Sequence, residues 1–471
     1  MHLIDYIIFI LYMGLVLSVG FYFFRKNSTR ADYYVGNRSI SAGHIGLSIV
    51  ATDVGGGFSI GLGGLGFIMG LSGTWLLFTG LVGAWIAAVL VVPKIKKLDQ
   101  QFGMLTFPDF LRHKYGERIA LPAAIISAIG YIGFTGGQVL AGAKLAAGTV
   151  FVNAPFNLDP LNFSLIVMTG IIMLYTVLGG IKAVIYTDTL QWIILLTGLL
   201  FLGLPFAYIK IGGWSAMHSE LPAEFFSLNN IQPSQFVNWI VTIVPIWFIA
   251  MTLYQRIYAS KSVKDARKAW FLAGLLEYPI IAFIGVTLGM MARVLFPDVE
   301  PEMGLPMLIK EALPIGVTGV VIASYFSAIM STADSCLIAS SGNIVNDILN
   351  RYVVPSLSHK QNIRLSQFAT LVIGAFTLII AASFKTVLEI ILHAYSFMVA
   401  GLFVPTIAAL TAKRVHSTAA IWSMMSGGLF VLCAIIFKWQ LPFDLAASFY
   451  GILISAVFLL FFQKVIQRGK L

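Results

Sequence analysis

Charge is scarce in this sequence. Only 11% of its 471 residues are Asp, Glu, Lys or Arg, while 58% are hydrophobic. A soluble domain carries about 25% charged residues, so this chain has too little polar surface to wrap a water-facing core. The composition points to an all-α integral membrane protein. Cysteine is scarcer still. Cys336 and Cys433 are the only two, both inside apolar runs, which excludes a disulfide framework. No HExxH and no GxxxxGK[ST] loop occurs, so an enzyme is not expected.

What is abundant is apolar runs long enough to cross a bilayer as helices. About thirteen such spans are expected: 3–23, 43–69, 73–93, 120–150, 161–181, 186–208, 234–254, 268–294, 315–343, 366–384, 387–411, 418–437 and 444–462. The first lacks a basic leader and a small-residue cleavage site, and it is read as a retained helix. The net charge of +10 could indicate nucleic acid, but the basic residues alternate between loops. Arg25 and Lys26 follow the first span, Lys94, Lys96 and Lys97 the third, and Arg256, Lys261, Lys264 and Arg267 the seventh. This positive-inside pattern predicts an N-terminus outside, a C-terminus in the cytoplasm and no nucleic-acid partner. The setting is the plasma or inner membrane.

The informative residues are polar ones placed where lipid-facing groups belong. Asp53, Asp188 and Asp334 fall within spans, where acids are costly and mark ion or substrate paths; Glu277 is a candidate fourth, with local pairing or a polar cleft as its alternatives. Asp53 precedes Gly55, Gly56 and Gly57, a triplet that favours unwinding and frees backbone carbonyls for a cation. Close packing through Gly57, Gly61 and Gly64 is the bland alternative, and it leaves Asp53 unexplained. Further on, Ala328, Ser331, Thr332 and Ser335 recur at i, i+3, i+4 and i+7, one face of a helix. Oxygens gathered there suit a hard cation such as Na+. Back-bonding to the carbonyl at i−4 would account for the hydroxyls but not for Asp334.

The stretches ATDVGGG (51–57), YTVLGGIKAVIYTDTLQ (175–191), YQRIYASKSVKDARKA (254–269) and AIMSTADS (328–335) stand in the order and spacing of one family. Over nearly the whole chain the sequence resembles the sodium:solute symporter family, whose members carry proline, pantothenate, sialic acid, sugars and choline. The resemblance implies a leucine-transporter-like fold with broken helices and two inverted five-helix repeats. The repeats would occupy 43–211 and 212–414, with an extra helix and loop at 1–42 and two further helices and a tail at 415–471.

It also implies Na+-coupled symport of a small organic solute by alternating access. The sodium site would comprise the backbone of Ala51, Val54 and Ala328 and the hydroxyls of Ser331 and Thr332, with Asp53 in support. A second ion site would involve Asp188, Ser331, Asp334 and Ser335. Asp334 stands where relatives place a serine, and Lys182 is one candidate partner for it. The solute pocket is expected from Phe58, Ser59, Trp75, Tyr131, Thr135, Gln138, Trp247, Met251, Tyr395 and Ser396. Aromatic rings near Asp53 suit an amino- or ammonium-bearing solute. A carboxylate solute would need a base, and Lys144 is the one deep in a pocket helix. A proton-coupled carrier and a carboxylate or sugar-acid carrier stay open as alternatives. A channel would require a continuous pore, usually built by symmetric subunits, and the chain is expected to act as a monomer.

Overall fold

The computed structural model describes residues 1–26, 34–354, 357–412 and 414–469. The side chains of Arg25, Lys26, Phe58 and Lys182 lie outside the described ones. Every named element among the described residues is a helix. In chain order these are α1 (Leu3–Lys26), α2 (Ala42–Met69), α3 (Trp75–Leu90), α4 (Val92–Phe102), α5 (Phe107–Tyr115), α6 (Ala120–Thr149) and α7 (Pro160–Leu196). Next come α8 (Leu204–Lys210), α9 (Gly213–Glu220), α10 (Pro233–Ile249), α11 (Met251–Ala259), α12 (Val263–Leu275), α13 (Ala282–Leu295) and α14 (Pro301–Ala312). The last five are α15 (Val317–Gly342), α16 (His359–Ser383), α17 (Val387–Thr411), α18 (Ser417–Ile436) and α19 (Ala447–Gln467).

Nine helices among the described residues are long and apolar enough to cross a membrane, or ten if the bent pair α10 and α11 is one span. Two shorter apolar helices, Leu3–Val16 and Pro160–Leu174, add to these, so the figure of thirteen stands as an expectation. One long helix needs reinterpretation. Ile171 and Ile194, which a straight helix would hold about 35 Å apart, pack against the same small cluster of Tyr12, Val16, Ala323 and Met330. The run α7 therefore doubles back on itself, as the separate spans 161–181 and 186–208 require.

Three irregularities set up the interior. In α2, Gly55 takes φ 42° and ψ −178°, a left-handed backbone that glycine alone adopts without a Cβ penalty. Between α10 and α11 the axis turns by 41° at Ala250, whose ψ of 117° is extended. Between α12 and α13 a π-helical stretch, Leu276–Ile281, carries Glu277 and Pro279. Proline has no N–H to give the ladder, which favours a widened turn there.

Helix α15 runs through the centre, buried at every position from 321 to 342. It needs no polar face because neighbours enclose it on all sides. Its N-terminus is held by Asp5 of α1, whose Oδ1 accepts from the amides of Gly316 at 2.7 Å and Gly319 at 3.0 Å. Those amides have no helical partner, so a carboxylate there satisfies them and complements the helix dipole.

Ion pairs tie down both ends of the bundle. At the basic end Asp99 binds Lys96 at 2.8 Å and Arg38 at 3.0 Å, while Lys96 also donates to the Tyr258 carbonyl at 2.7 Å. Burial pulls the Lys96 ammonium below the usual lysine range, and Asp99 opposes that shift. At the other end Lys144 binds Glu302 at 2.6 Å and Glu300 at 3.0 Å. Glu302 in turn accepts from the Val387 and Leu388 amides that open α17.

Candidate functional site

The break at Gly55 interrupts the i→i−4 ladder, so carbonyls of the turn before it lose helical partners. One of them, Ala51 O, faces α15 and accepts from Thr332 Oγ1 at 3.1 Å. Thr332 also reaches Ala328 O at 3.2 Å. Ala51, Val54 and Ala328 line one small cavity, together with Ser327, Gln191 and Trp192. The glycine triplet serves both purposes weighed from the sequence. A Cβ on Gly55 would stand 2.2 Å from Thr332 Oγ1, one on Gly56 1.8 Å from Ile329, and one on Gly57 2.0 Å from Ile391. Unwinding occurs at the first glycine, and all three permit close approach.

Beside this wall lies a buried charge pair. Arg256 and Asp188 meet at 3.2 Å, both side chains fully buried. Asp188 also accepts from Ser331 Oγ at 2.7 Å and from Ser48. The guanidinium donates to Ser48 at 2.9 Å, Ser335 at 2.9 Å, the Thr252 carbonyl at 3.2 Å, and Thr52. Ser48 and Thr52 are one turn apart on α2, as Ser331 and Ser335 are on α15, so each pair presents one face. Residues of α2, α7, α11 and α15 thus share one network. A buried ion pair needs such additional hydrogen bonds to offset its desolvation.

The sequence reading placed Arg256 among the basic residues of a loop, and the structure corrects this. Arg256 lies on α11, the half-helix after the Ala250 break, and faces inward. Its neighbours in sequence, Lys261, Lys264 and Arg267, lie on the loop and the start of α12.

A second, narrow cavity lies between the two breaks and is lined by Thr52, Asp53, Tyr131, Phe134, Ala250, Thr252, Cys336 and Tyr395, among others. Phe134 and Tyr395 stack with centroids 4.9 Å apart and planes at 13°. The Tyr395 hydroxyl reaches Asp53 at 3.4 Å, and Tyr131 OH sits 3.1 Å from Thr252 Oγ1.

Residues 33–427 match the sodium:solute symporter family. The chain belongs to that family. Among relatives, the high-affinity proline transporter PutP of Bacillus subtilis (strain 168) is 26% identical over 433 residues, covering 88% of this chain and 89% of the relative. Sodium/myo-inositol cotransporter 2 of Oryctolagus cuniculus is 29% identical over 402 residues, 76% of this chain; the match spans only 58% of that longer protein. Among solved structures, a substrate-bound, outward-open Na+-coupled sialic acid symporter aligns with a TM-score of 0.79 at 20% identity, over 98% of this chain and 97% of the other. That likeness establishes the leucine-transporter-like fold. Family membership makes the protein a multi-pass membrane transporter that couples a small solute to Na+, not an enzyme.

For this symporter the sequence-derived residues divide by location. Ala51, Val54, Ala328, Ser331 and Thr332 gather where α2 and α15 meet. The four residues of the second expected ion site are spread out. Asp188 and Ser331 bond directly, Ser335 joins them through Arg256, and Asp334 Oδ1 accepts from Thr176 at 2.6 Å. In the expected solute set, Tyr131 and Tyr395 line the second cavity. Ser59 donates to Gly55 O at 2.7 Å, Thr135 to Tyr131 O at 2.7 Å, and Gln138 Oε1 accepts from the Gly57 amide at 2.9 Å. Trp247 and Ser396 are buried. Two others point away: Trp75 donates to Leu228 O at 2.8 Å, and Met251 Sδ accepts from the Phe107 amide at 3.0 Å, towards the basic end. The Phe58 side chain lies outside the described ones.

Sequence reasoning missed Arg256, Thr52, Phe134, Thr252 and Cys336 as site residues. Two carried a usable signal. Thr52 lies beside Asp53 in the broken segment, and Phe134 lies one turn after Tyr131.

Proposed function

We propose that the protein is a symporter in which one Na+ binds between the α2 break and α15 and a small amino- or ammonium-bearing solute binds in the neighbouring cavity. The observation that carries this reading is the convergence of Ala51 O, Ala328 O and the Thr332 hydroxyl, with Ser331 and Val54 adjacent. A backbone break inside a membrane leaves carbonyls in need of a partner, and the gathered Ala51, Ala328 and Thr332 oxygens suit a hard monovalent cation. The ion would draw α2 and α15 together and complete the solute pocket beside Asp53. Binding of ion and solute is then mutually favourable, and reciprocal by linkage. The charge gains about 2.3 kcal/mol per 100 mV of membrane potential.

A single ion is proposed because the second expected site already holds a fixed positive charge. Arg256 engages both Asp188 and Ser335, so another cation would have to displace the guanidinium. The amine reading is supported by Asp53 and the stacked Phe134 and Tyr395 rings. The carboxylate alternative loses its candidate base, since Lys144 is paired with Glu300 and Glu302.

The proposal includes inverted repeats at 43–211 and 212–414, each opening on a broken helix, with the parts at 1–42 and 415–471 outside them. It places the basic end in the cytoplasm of a plasma or inner membrane. In this reading the carrier works as a monomer. A thermal-shift screen of the purified protein tests the reading: a solute that stabilises in NaCl but not in KCl supports it. Equal stabilisation in both salts contradicts it.

A further inference from the structure

Glu277 has no role in the site described so far, yet it is a fully buried acid among the described residues. It sits in the π-helical stretch between α12 and α13, and its carboxyl oxygens have no partner other than the Asp53 carboxyl. The polar group it faces is the carboxyl of Asp53. Two carboxyls that face each other in a buried site repel when both are ionised, and either a shared proton or a positive group standing with them relieves this. A second buried polar group points to the same place. The indole N–H of Trp247 is without a partner, and it and Glu277 Oε2 both face the bare Cα of Gly80, 3.9 and 3.2 Å from where a Cβ would stand. Asp53 borders the solute cavity directly.

We propose that Asp53 and Glu277 form a two-carboxylate cradle for an N–H-bearing ammonium group of the solute. This deepens the symport reading and rests on it. Oxygens whose partner is another acid suit a cation that brings its own hydrogens, so a primary or secondary ammonium fits and a quaternary one does not. Trp247 then offers a donor to an acceptor on the same molecule, as in an amino acid.

The test measures the melting temperature of the purified protein in NaCl with proline, lysine, putrescine, choline, glucose and N,N-dimethylproline, for wild type and Glu277→Gln. We expect stabilisation by at least one primary or secondary amine. Quaternary and neutral probes should give none, and apparent affinity should weaken roughly ten-fold or more in Glu277→Gln. The NaCl-against-KCl difference without solute should survive in that variant, which shows that it folds and binds Na+. Stabilisation by choline, N,N-dimethylproline or glucose equal to that by any amine overturns the cradle. So does an amine response unchanged in Glu277→Gln, or no response to any amine in a wild type that responds to Na+. Loss of the Na+ response in wild type would instead defeat the symport reading itself. The comparison of proline with its dimethyl form needs no variant, so the proposal is decidable even if Glu277→Gln fails to fold.

Discussion

Ser331 shows how one hydroxyl can stand at the meeting of two networks: it adjoins the proposed Na+ site and donates to Asp188. Removing an oxygen that binds a charged partner costs about 1.5–3 kcal/mol. Ser331→Ala and Thr332→Ala should therefore each raise the Na+ concentration for half-maximal stabilisation by roughly ten-fold or more, measured by thermal shift in NaCl. The neighbouring pair behaves differently. Asp188→Asn alone leaves Arg256 buried without its counter-charge, a loss of about 3–5 kcal/mol. Arg256→Met combined with Asp188→Asn should lose less than the single variants predict together, and a double-mutant cycle in thermal unfolding measures the difference. The hydroxyl face of α15 was legible because helical spacing alone aligns Ala328, Ser331, Thr332 and Ser335. Arg256 was not, because a charge next to a basic loop is counted with the loop until the Ala250 break shows that its half-helix turns inward.

At the scale of elements, irregular helices carry the function and regular ones brace it. Gly55→Ala would place a side chain in a left-handed conformation at a cost of about 1–3 kcal/mol, and its Cβ would strike Thr332 Oγ1. We expect the variant to lose Na+-dependent stabilisation while its circular dichroism stays helical. The far end of the bundle offers a separate test. Glu302 holds the first amides of α17, so Glu302→Gln should speed hydrogen exchange at Val387 and Leu388, read by mass spectrometry, without raising exchange at the basic end. Among the breaks, the glycine triplet announced the one in α2. The turn at Ala250 lies in an unbroken apolar run and announced nothing, and the π-helical stretch at Leu276–Ile281 was marked only by Pro279.

Across the whole molecule, composition sufficed for the membrane class and the motifs for the family, while the packing of distant segments came only from the structure. Hydropathy separates the spans at 161–181 and 186–208, but it cannot say that their hairpin places Asp188 against Ser331 and Thr176 against Asp334. The Asp53 and Glu277 juxtaposition is likewise invisible in one dimension, since 224 residues part them along the chain. The central claim is that Na+ binds where the broken α2 meets α15. Binding of radiolabelled Na+ to purified wild type and to a Ser331→Ala, Thr332→Ala double variant tests it most directly. The account predicts saturable binding to wild type that K+ does not displace, and little or none to a folded double variant. Equal Na+ binding by the two proteins would contradict it.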